Sequence, residues 1–174
     1  MNQCEKMIED ASMVYQMRGQ GFMQKIDPPS RVARIGGALR TLYSAGGLPD
    51  FIGHFGGTAV AIEAKYSTSR RSVYFDDHIV KKNQIRWLEK WAQSGGIGGL
   101  LVFWNYRVGK KDPAEFLREA WFMPITTETT EVTRWAHGGP AFSLHMDWFR
   151  ENAISVPEKD GGLAWGRAVE AMVR

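Results

Sequence analysis

The pair Gly56-Gly57, set between two short apolar runs, constrains this chain more than any other feature. Glycine reaches positive φ at little steric cost, and a two-residue turn of that kind joins antiparallel strands in one fixed register. Counting outward, Phe55 pairs with Thr58, Gly53 with Val60 and Phe51 with Ile62, so Asp50 falls opposite Glu63. Directly opposed carboxylates destabilise an antiparallel pair, with Cβ atoms only about 4.5–5.5 Å apart, unless a cation lies between them. Side chains alternate along a strand, which places Glu63 and Lys65 on one face and Val60, Ile62 and Ala64 on the other, toward a core. The competing reading is that Asp50 merely begins a strand while Glu63 and Lys65 form an ion pair on a solvated face. Pro49 before Asp50 and the apolar setting of the two charges favour a metal site. Mg²⁺ suits such a pair, because it takes one or two carboxylates and leaves its other positions to water and phosphate oxygens.

Two further elements bear on this centre. Residues 3–18 carry Met7, Ile8, Ala11, Val14 and Tyr15 at helical spacing, the pattern of a helix packed on a core. Glu5 lies beside that face, and Asn2 with Glu5 has the spacing of a capping box, so an N-terminal cap and a metal-site carboxylate are equally open roles. Asp76-Asp77 can cap a second helix that runs to about Ser94, where Gly95-Gly96 stops it. Its inner face reads Val80, Gln84, Trp87, Leu88 and Trp91, so Gln84 interrupts an apolar stripe. A buried amide costs free energy unless it is hydrogen-bonded, and either the backbone satisfies Gln84 or it points into a polar cavity.

The rest of the chain reads as a strand from Ile97 to Tyr106, another from Trp121 to Ile125, a surface loop over 126–140, and a terminal helix over Arg167 to Arg174. At 174 residues, with a 44% hydrophobic share and seven Trp, this is one packed domain of α/β type, a mixed central sheet flanked by helices. The single Cys4 allows no intramolecular disulfide. The acidic start of the chain does not resemble a signal peptide, and the longest apolar run, Leu100 to Trp104, is too short to span a bilayer, so a cytoplasmic location and no membrane partner are expected.

A net charge of +3 permits nucleic-acid binding, and its distribution is more informative. Arg31, Arg34 and Arg40 precede the hairpin, Arg70 and Arg71 follow it, and Lys81, Lys82, Arg86 and Lys90 decorate the next helix, with Lys110 and Lys111 beyond. Each cluster alone is a solvated face, yet together they bracket the Asp50–Glu63 pair, as a polyanionic substrate would require.

Pro49-Asp50 followed by Glu63-Ala64-Lys65 resembles the signature of the PD-(D/E)XK nucleases. Over most of residues 5–149 the chain is similar to one branch, the RecU-type Holliday junction resolvases and their phage-encoded relatives. The likeness rests on Glu5 to Tyr15 with Ile8 between, Gln20-Gly21 through Lys25 and Pro28-Pro29, the hairpin, Gln84, Gly95 to Phe103, and Phe142-Ser143-Leu144 through Trp148-Phe149. Pro49 gives the site a look closer to archaeal resolvases.

The resemblance implies a restriction-endonuclease-like fold, with residues 26–49 including a stalk that enters the centre of a four-way junction; an ordinary basic ribbon or loop is the alternative. It implies that Asp50, Glu63, Lys65, Gln84 and Glu5 are catalytic. Mg²⁺, or Mn²⁺ in its place, would be held by Asp50, Glu63, the Ala64 carbonyl and Glu5, the last directly or through a water. Arg31, Arg34, Arg40, Arg70, Arg71, Lys81 and Lys82 would bind DNA. The expected partner is branched DNA, the expected assembly a homodimer without a small-molecule cofactor, and the setting the cytoplasm of a bacterial or phage-infected cell. A restriction-like or repair endonuclease of the same superfamily, or a non-catalytic DNA-binding module, are the competing functions, and intact Asp50, Glu63 and Lys65 weigh against the module.

Overall fold

The computed structural model describes residues 2–26, 30–35, 38–43, 48–68, 71–76, 78–109, 115–128 and 130–174, with the backbone alone for 30–35, 38–43 and 115. Arg70, Asp77, Lys110, Lys111 and the side chains of Arg31, Arg34 and Arg40 therefore lie outside the described residues.

Helix α1 (Gln3–Met17) buries Cys4, Met7, Ile8, Ala11 and Ser12 and leads into β1 (Gly21–Lys25). A ribbon follows, β2 (Ser30–Ile35) antiparallel to β3 (Ala38–Tyr43), and then the hairpin of β4 (Phe51–Phe55) and β5 (Thr58–Ser67). Next come β6 (Ser72–Phe75), α2 (Lys82–Gln93), β7 (Ile97–Val108) and β8 (Glu115–Ile125). The C-terminal part holds α3 (Glu131–Ala136), β9 (Phe142–His145), α4 (Met146–Asn152), β10 (Ile154–Ser155), β11 (Glu158–Lys159), β12 (Gly162–Leu163) and α5 (Gly166–Val173).

One six-stranded sheet organises these elements in the order β1-β4-β5-β7-β8-β10. Its β5–β7 pair is parallel and its other pairs are antiparallel, which makes the sheet mixed, as the sequence implied. Alternation along β5 sends Val60, Ile62 and Ala64 into one apolar cluster with α1, α5, Leu101 and Phe103. On the opposite face Ala61, Leu100, Val102 and Trp104 pack beneath Ile85 and Leu88 of α2 and Trp135 of α3. The β2–β3 ribbon forms its own two-stranded sheet, separate from the six-stranded one.

Three elements differ from the sequence reading, and one of them is β8, which starts at Glu115 rather than at Trp121. Helix α2 begins at Lys82 rather than at Asp76-Asp77, because Asp76 Oδ1 accepts the N–H groups of His78 and Ile79 and closes a local turn instead of a helix. Its buried face is therefore Ile85, Leu88 and Glu89, with Trp87 and Trp91 half-buried at the flank. The stretch 126–140 is not all loop. Thr130 Oγ1 accepts the Thr133 N–H and Thr133 Oγ1 the Thr130 N–H, a reciprocal cap that starts α3 and lets Trp135 go down to 2% exposure.

Candidate active site

Gly56 and Gly57 both take positive φ, +57° and +82°, and the hairpin pairs Phe55 with Thr58, Gly53 with Val60 and Phe51 with Ile62. Asp50, just before β4, thus comes level with Glu63. At Gly53 an added Cβ would lie 2.0 Å from the Phe22 carbonyl oxygen, so only glycine lets β1 close on the strand that leads back to Asp50. Glu63 faces the α2 side of the sheet and is 1% exposed, buried far beyond what an ionised carboxylate tolerates alone.

Polar groups converge on this carboxylate unevenly. Lys65 Nζ donates to Glu63 Oε1 at 2.7 Å, and Gln84 Nε2 donates to the same oxygen. The other oxygen, Oε2, is buried without a hydrogen-bond partner. Asp50 Oδ2 accepts the Ala64 N–H at 2.9 Å, which holds the second carboxylate against the strand that carries the first. Burial pushes the Glu63 pKa up to about 8; Lys65 opposes that shift and Asp50 adds to it. Asp50 is raised as well, first by burial, with the Ala64 N–H and the Lys65 charge acting in the opposite sense. Among the described residues no three His, Cys, Asp or Glu side chains converge as a ligand set. A pair of carboxylates with an orphaned buried oxygen fits a hard divalent cation of the Mg²⁺ kind, which keeps several positions for water and substrate, and not a closed zinc site.

Gln84 plays both roles that the sequence left open. Its Oε1 accepts the Lys81 N–H at 2.9 Å and so caps the start of α2, while its amide nitrogen reaches Glu63. Glu5 is likewise engaged in both directions: its N–H donates to Asn2 Oδ1, Asn2 Nδ2 donates to its Oε1, and Lys25 Nζ lies 2.8 Å from its Oε2. Its charge is among those that raise Asp50, which places it in the electrostatic surroundings of the pair. Ala64 enters the described hydrogen bonds through its N–H.

The basic residues divide by setting. The Arg71 guanidinium sits over the Tyr106 ring at 5.4 Å and Lys82 Nζ over the Trp135 ring at 5.8 Å, whereas Lys81 is exposed at the N-terminus of α2. Two groups near the centre were not expected from sequence. Lys25, at the end of β1, is one; the polar cluster of Gln3, Tyr66 and Asn105 is the other. Residues 3, 66 and 105 carry no spacing signal, since only the packing of α1 across β5 and β7 brings them together.

A six-stranded mixed sheet between helical layers, with one antiparallel hairpin leading into a parallel crossover, defines a mixed α/β fold. The sequence matches the Recombination protein U (RecU) family over residues 2–162, and the chain belongs to that family of Holliday junction resolvases. It is accordingly a nuclease that acts on Holliday junctions. Among solved structures it is similar to Hjc of Archaeoglobus fulgidus, a Holliday junction resolvase from an archaeal hyperthermophile, with 15% identity, a TM-score of 0.44, and coverage of 82% of this chain and 88% of that one. No curated protein sequence matches the chain. Among the described residues no helix is long and apolar enough to cross a membrane.

Two predictions follow from the Glu63 environment. Gln84→Leu removes a helix cap and a carboxylate donor together, so it should lower unfolding free energy by about 1 kcal/mol in urea titrations and reduce kcat for junction cleavage. Gln84→Glu should keep the cap yet lose activity as severely, because an oxygen then faces Glu63; normal cleavage by both variants would remove Gln84 from the site.

The second concerns pH. In the unfolded chain Glu63 titrates near 4.5 and in the folded one near 8, so folding between those values takes up a proton. The stability that the protonated carboxyl contributes is present below pH 4.5 and is lost as pH rises through about 8. In chelator, the Tm of Glu63→Gln minus that of the unsubstituted protein should therefore grow between pH 5 and pH 8.5 and then level off. A difference that stays flat would contradict this.

Proposed function

We propose that the chain resolves four-way DNA junctions as a homodimer, by paired symmetric nicks made at two identical centres of Asp50, Glu63 and Lys65 that hold Mg²⁺ or, in its place, Mn²⁺. The observation that carries this reading is the orphaned Glu63 Oε2, a buried carboxyl oxygen beside a second carboxylate and a lysine. Asp50 and Glu63 would anchor the cation, with the Ala64 carbonyl as a further ligand and Glu5 contributing directly or through a water. When bound, the cation supplies charge stabilisation on the phosphoryl group and lowers the pKa of water.

The chain's own groups then have distinct tasks. Lys65, 20% exposed and held by Glu63, points a cation at the mouth of the site, where it orients the attacking water and offsets charge in the transition state. Gln84 fixes the Glu63 rotamer from across the sheet face, leaving Oε2 for the ion. Lys81, Lys82, Arg71 and Arg70 supply phosphate contacts around the cleft. A junction presents two equivalent strands about a two-fold axis, and one centre cannot reach both, which is why two protomers are required. The β2–β3 ribbon, with Arg31, Arg34 and Arg40 along it, is the element that would enter the junction centre. Such a DNA substrate places the reaction in the cytoplasm of a bacterial or phage-infected cell.

The deciding experiment compares four-way, duplex and flapped substrates side by side with Mg²⁺, Mn²⁺ or chelator. Junctions should be cut in preference, in two symmetry-related strands, and only with metal. Asp50→Asn and Glu63→Gln should each reduce cleavage roughly a hundredfold or more while leaving junction affinity near normal, because no basic contact is lost. Equal cutting of all three substrates would favour a general endonuclease of the superfamily, and retained cleavage in both variants would place the centre elsewhere.

A separate test addresses the ribbon. Replacing Arg31, Arg34 and Arg40 together by Ala should lower the ratio of junction to duplex affinity at one fixed salt concentration. If all three meet phosphates, it should also flatten the slope of log K against log salt by about 2–3. A uniform loss across all substrates would make these arginines generic phosphate clamps and remove the stalk assignment.

A further inference from the structure

The third acid near the centre, Glu5, belongs to a helix on the opposite face of the sheet from Gln84, and something must hold that helix in register with the strand that bears Glu63 and Lys65. The first turn of α1 meets the sheet through Cys4, which is fully buried, and through Gln3. Gln3 Oε1 accepts the Tyr66 hydroxyl at 2.7 Å and Asn105 Nδ2 at 3.0 Å, and Asn105 Nδ2 also lies 3.4 Å from the Tyr66 oxygen. The three side chains thus close a ring of hydrogen bonds between α1, β5 and β7. Tyr66 directly follows Lys65, and its ring stacks on Phe103 with centroids 5.7 Å apart and planes at 25°. One end of this ring is therefore fixed by packing on a residue of the apolar cluster beneath α1, and the other is two residues from Glu5.

We propose that Tyr66 and Asn105 are positioning residues for metal binding: by gripping Gln3 they set the α1 first turn, and with it Glu5, against the Asp50–Glu63 pair. This rests on the reading of Glu5 as a metal-site acid. Two features single the cluster out from ordinary surface polarity. It is half-buried at the end of the strand that carries Lys65, and it joins that strand to α1, which bears the one acid of the proposed site that lies outside the β4–β5 hairpin region. Asn2 and Lys25 order the Glu5 carboxylate locally, but they do so relative to α1 and β1; the apolar cluster packs α1 on β5 without direction, and among the hydrogen bonds described the Gln3 contacts are the ones that refer α1 to β5.

The test measures Mn²⁺ binding to the full chain by electron paramagnetic resonance, without DNA, so that it does not depend on turnover. Tyr66→Phe keeps the ring on Phe103 and deletes only the hydroxyl; it should weaken Mn²⁺ about three- to tenfold with Tm changed by no more than about 4 °C. Asn105→Leu should act in the same direction. The pair Tyr66→Phe with Gln3→Leu should be no worse than the more affected single variant, since each breaks the same link. Unchanged Mn²⁺ affinity in Tyr66→Phe and Asn105→Leu, whether or not Tm falls, would reduce the cluster to a structural bond and overturn the proposal. Glu5→Gln separates the two levels. If it weakens Mn²⁺ while the cluster variants do not, positioning fails and the role of Glu5 stands; if it binds as the unsubstituted protein does, the reading of Glu5 fails and the proposal with it.

Discussion

Glu63 is 1% exposed in the central part of the sheet, and a carboxylate taken that far out of water loses several kcal/mol of hydration unless opposite charge or donors return it. The fold returns only part. Both donors, from Lys65 and Gln84, reach Oε1, and Asp50 adds a like charge. In the metal-free protein the balance is met by holding a proton, which is what a pKa near 8 expresses. The apolar side chains around it offset such a penalty: burying a Val, Leu, Ile or Phe contributes about 1.5–3 kcal/mol, and Ile62, Leu100, Leu101 and Phe103 are all within 1% of full burial. The centre is a charge deficit carried by a well-packed sheet, and a divalent ion is the species that would cancel it without moving the backbone.

Supplying a donor to Glu63 requires a close approach of α2. At Gly98 of β7 a Cβ would lie 2.8 Å from the Leu88 carbonyl oxygen, so the glycine allows the helix to settle on the sheet. At that depth the Gln84 amide can reach Glu63 while its oxygen still caps the helix start. A single glutamine thereby couples the stability of α2 to the rotamer of the buried acid. From the opposite face α1 brings Glu5, and the two helices bracket the strand end from both sides.

How much of this was legible follows from the range of each signal. The Gly56-Gly57 turn fixes register by counting, so the level alignment of Asp50 with Glu63 could be read directly, as could α1 from its periodicity. Local competition defeated the reading of α2, where Asp76 closes its own turn and the helix waits for Gln84 to cap it. Four threonines in five positions suggested a loop over 126–130, yet Thr130 begins α3 because Val132 and Trp135 have a core to enter, a fact of tertiary packing. The Gln3–Tyr66–Asn105 ring was invisible for the same reason, its members being 63 and 39 positions apart.

The cations complete the physical picture. Arg71 lies over Tyr106 and Lys82 over Trp135, so these two positive charges are seated on aromatic rings and already restricted in orientation, whereas Arg118, over Phe103, is taken up by Glu158. Preordered charges of this kind would hold a phosphate backbone at lower entropic cost, but they would read no sequence and treat a duplex arm like any other. Preference for a four-way junction must then come from shape. Among the described residues β2 and β3 pair with each other and not with the main sheet, as β6 with β9 and β11 with β12 also do, and β2–β3 is the one of these three that carries Arg31, Arg34 and Arg40. On the proposed reading the work is divided between a packed sheet that fixes Asp50, Glu63 and Lys65 to within a hydrogen bond and a two-stranded ribbon that would select where on DNA those groups are brought to bear.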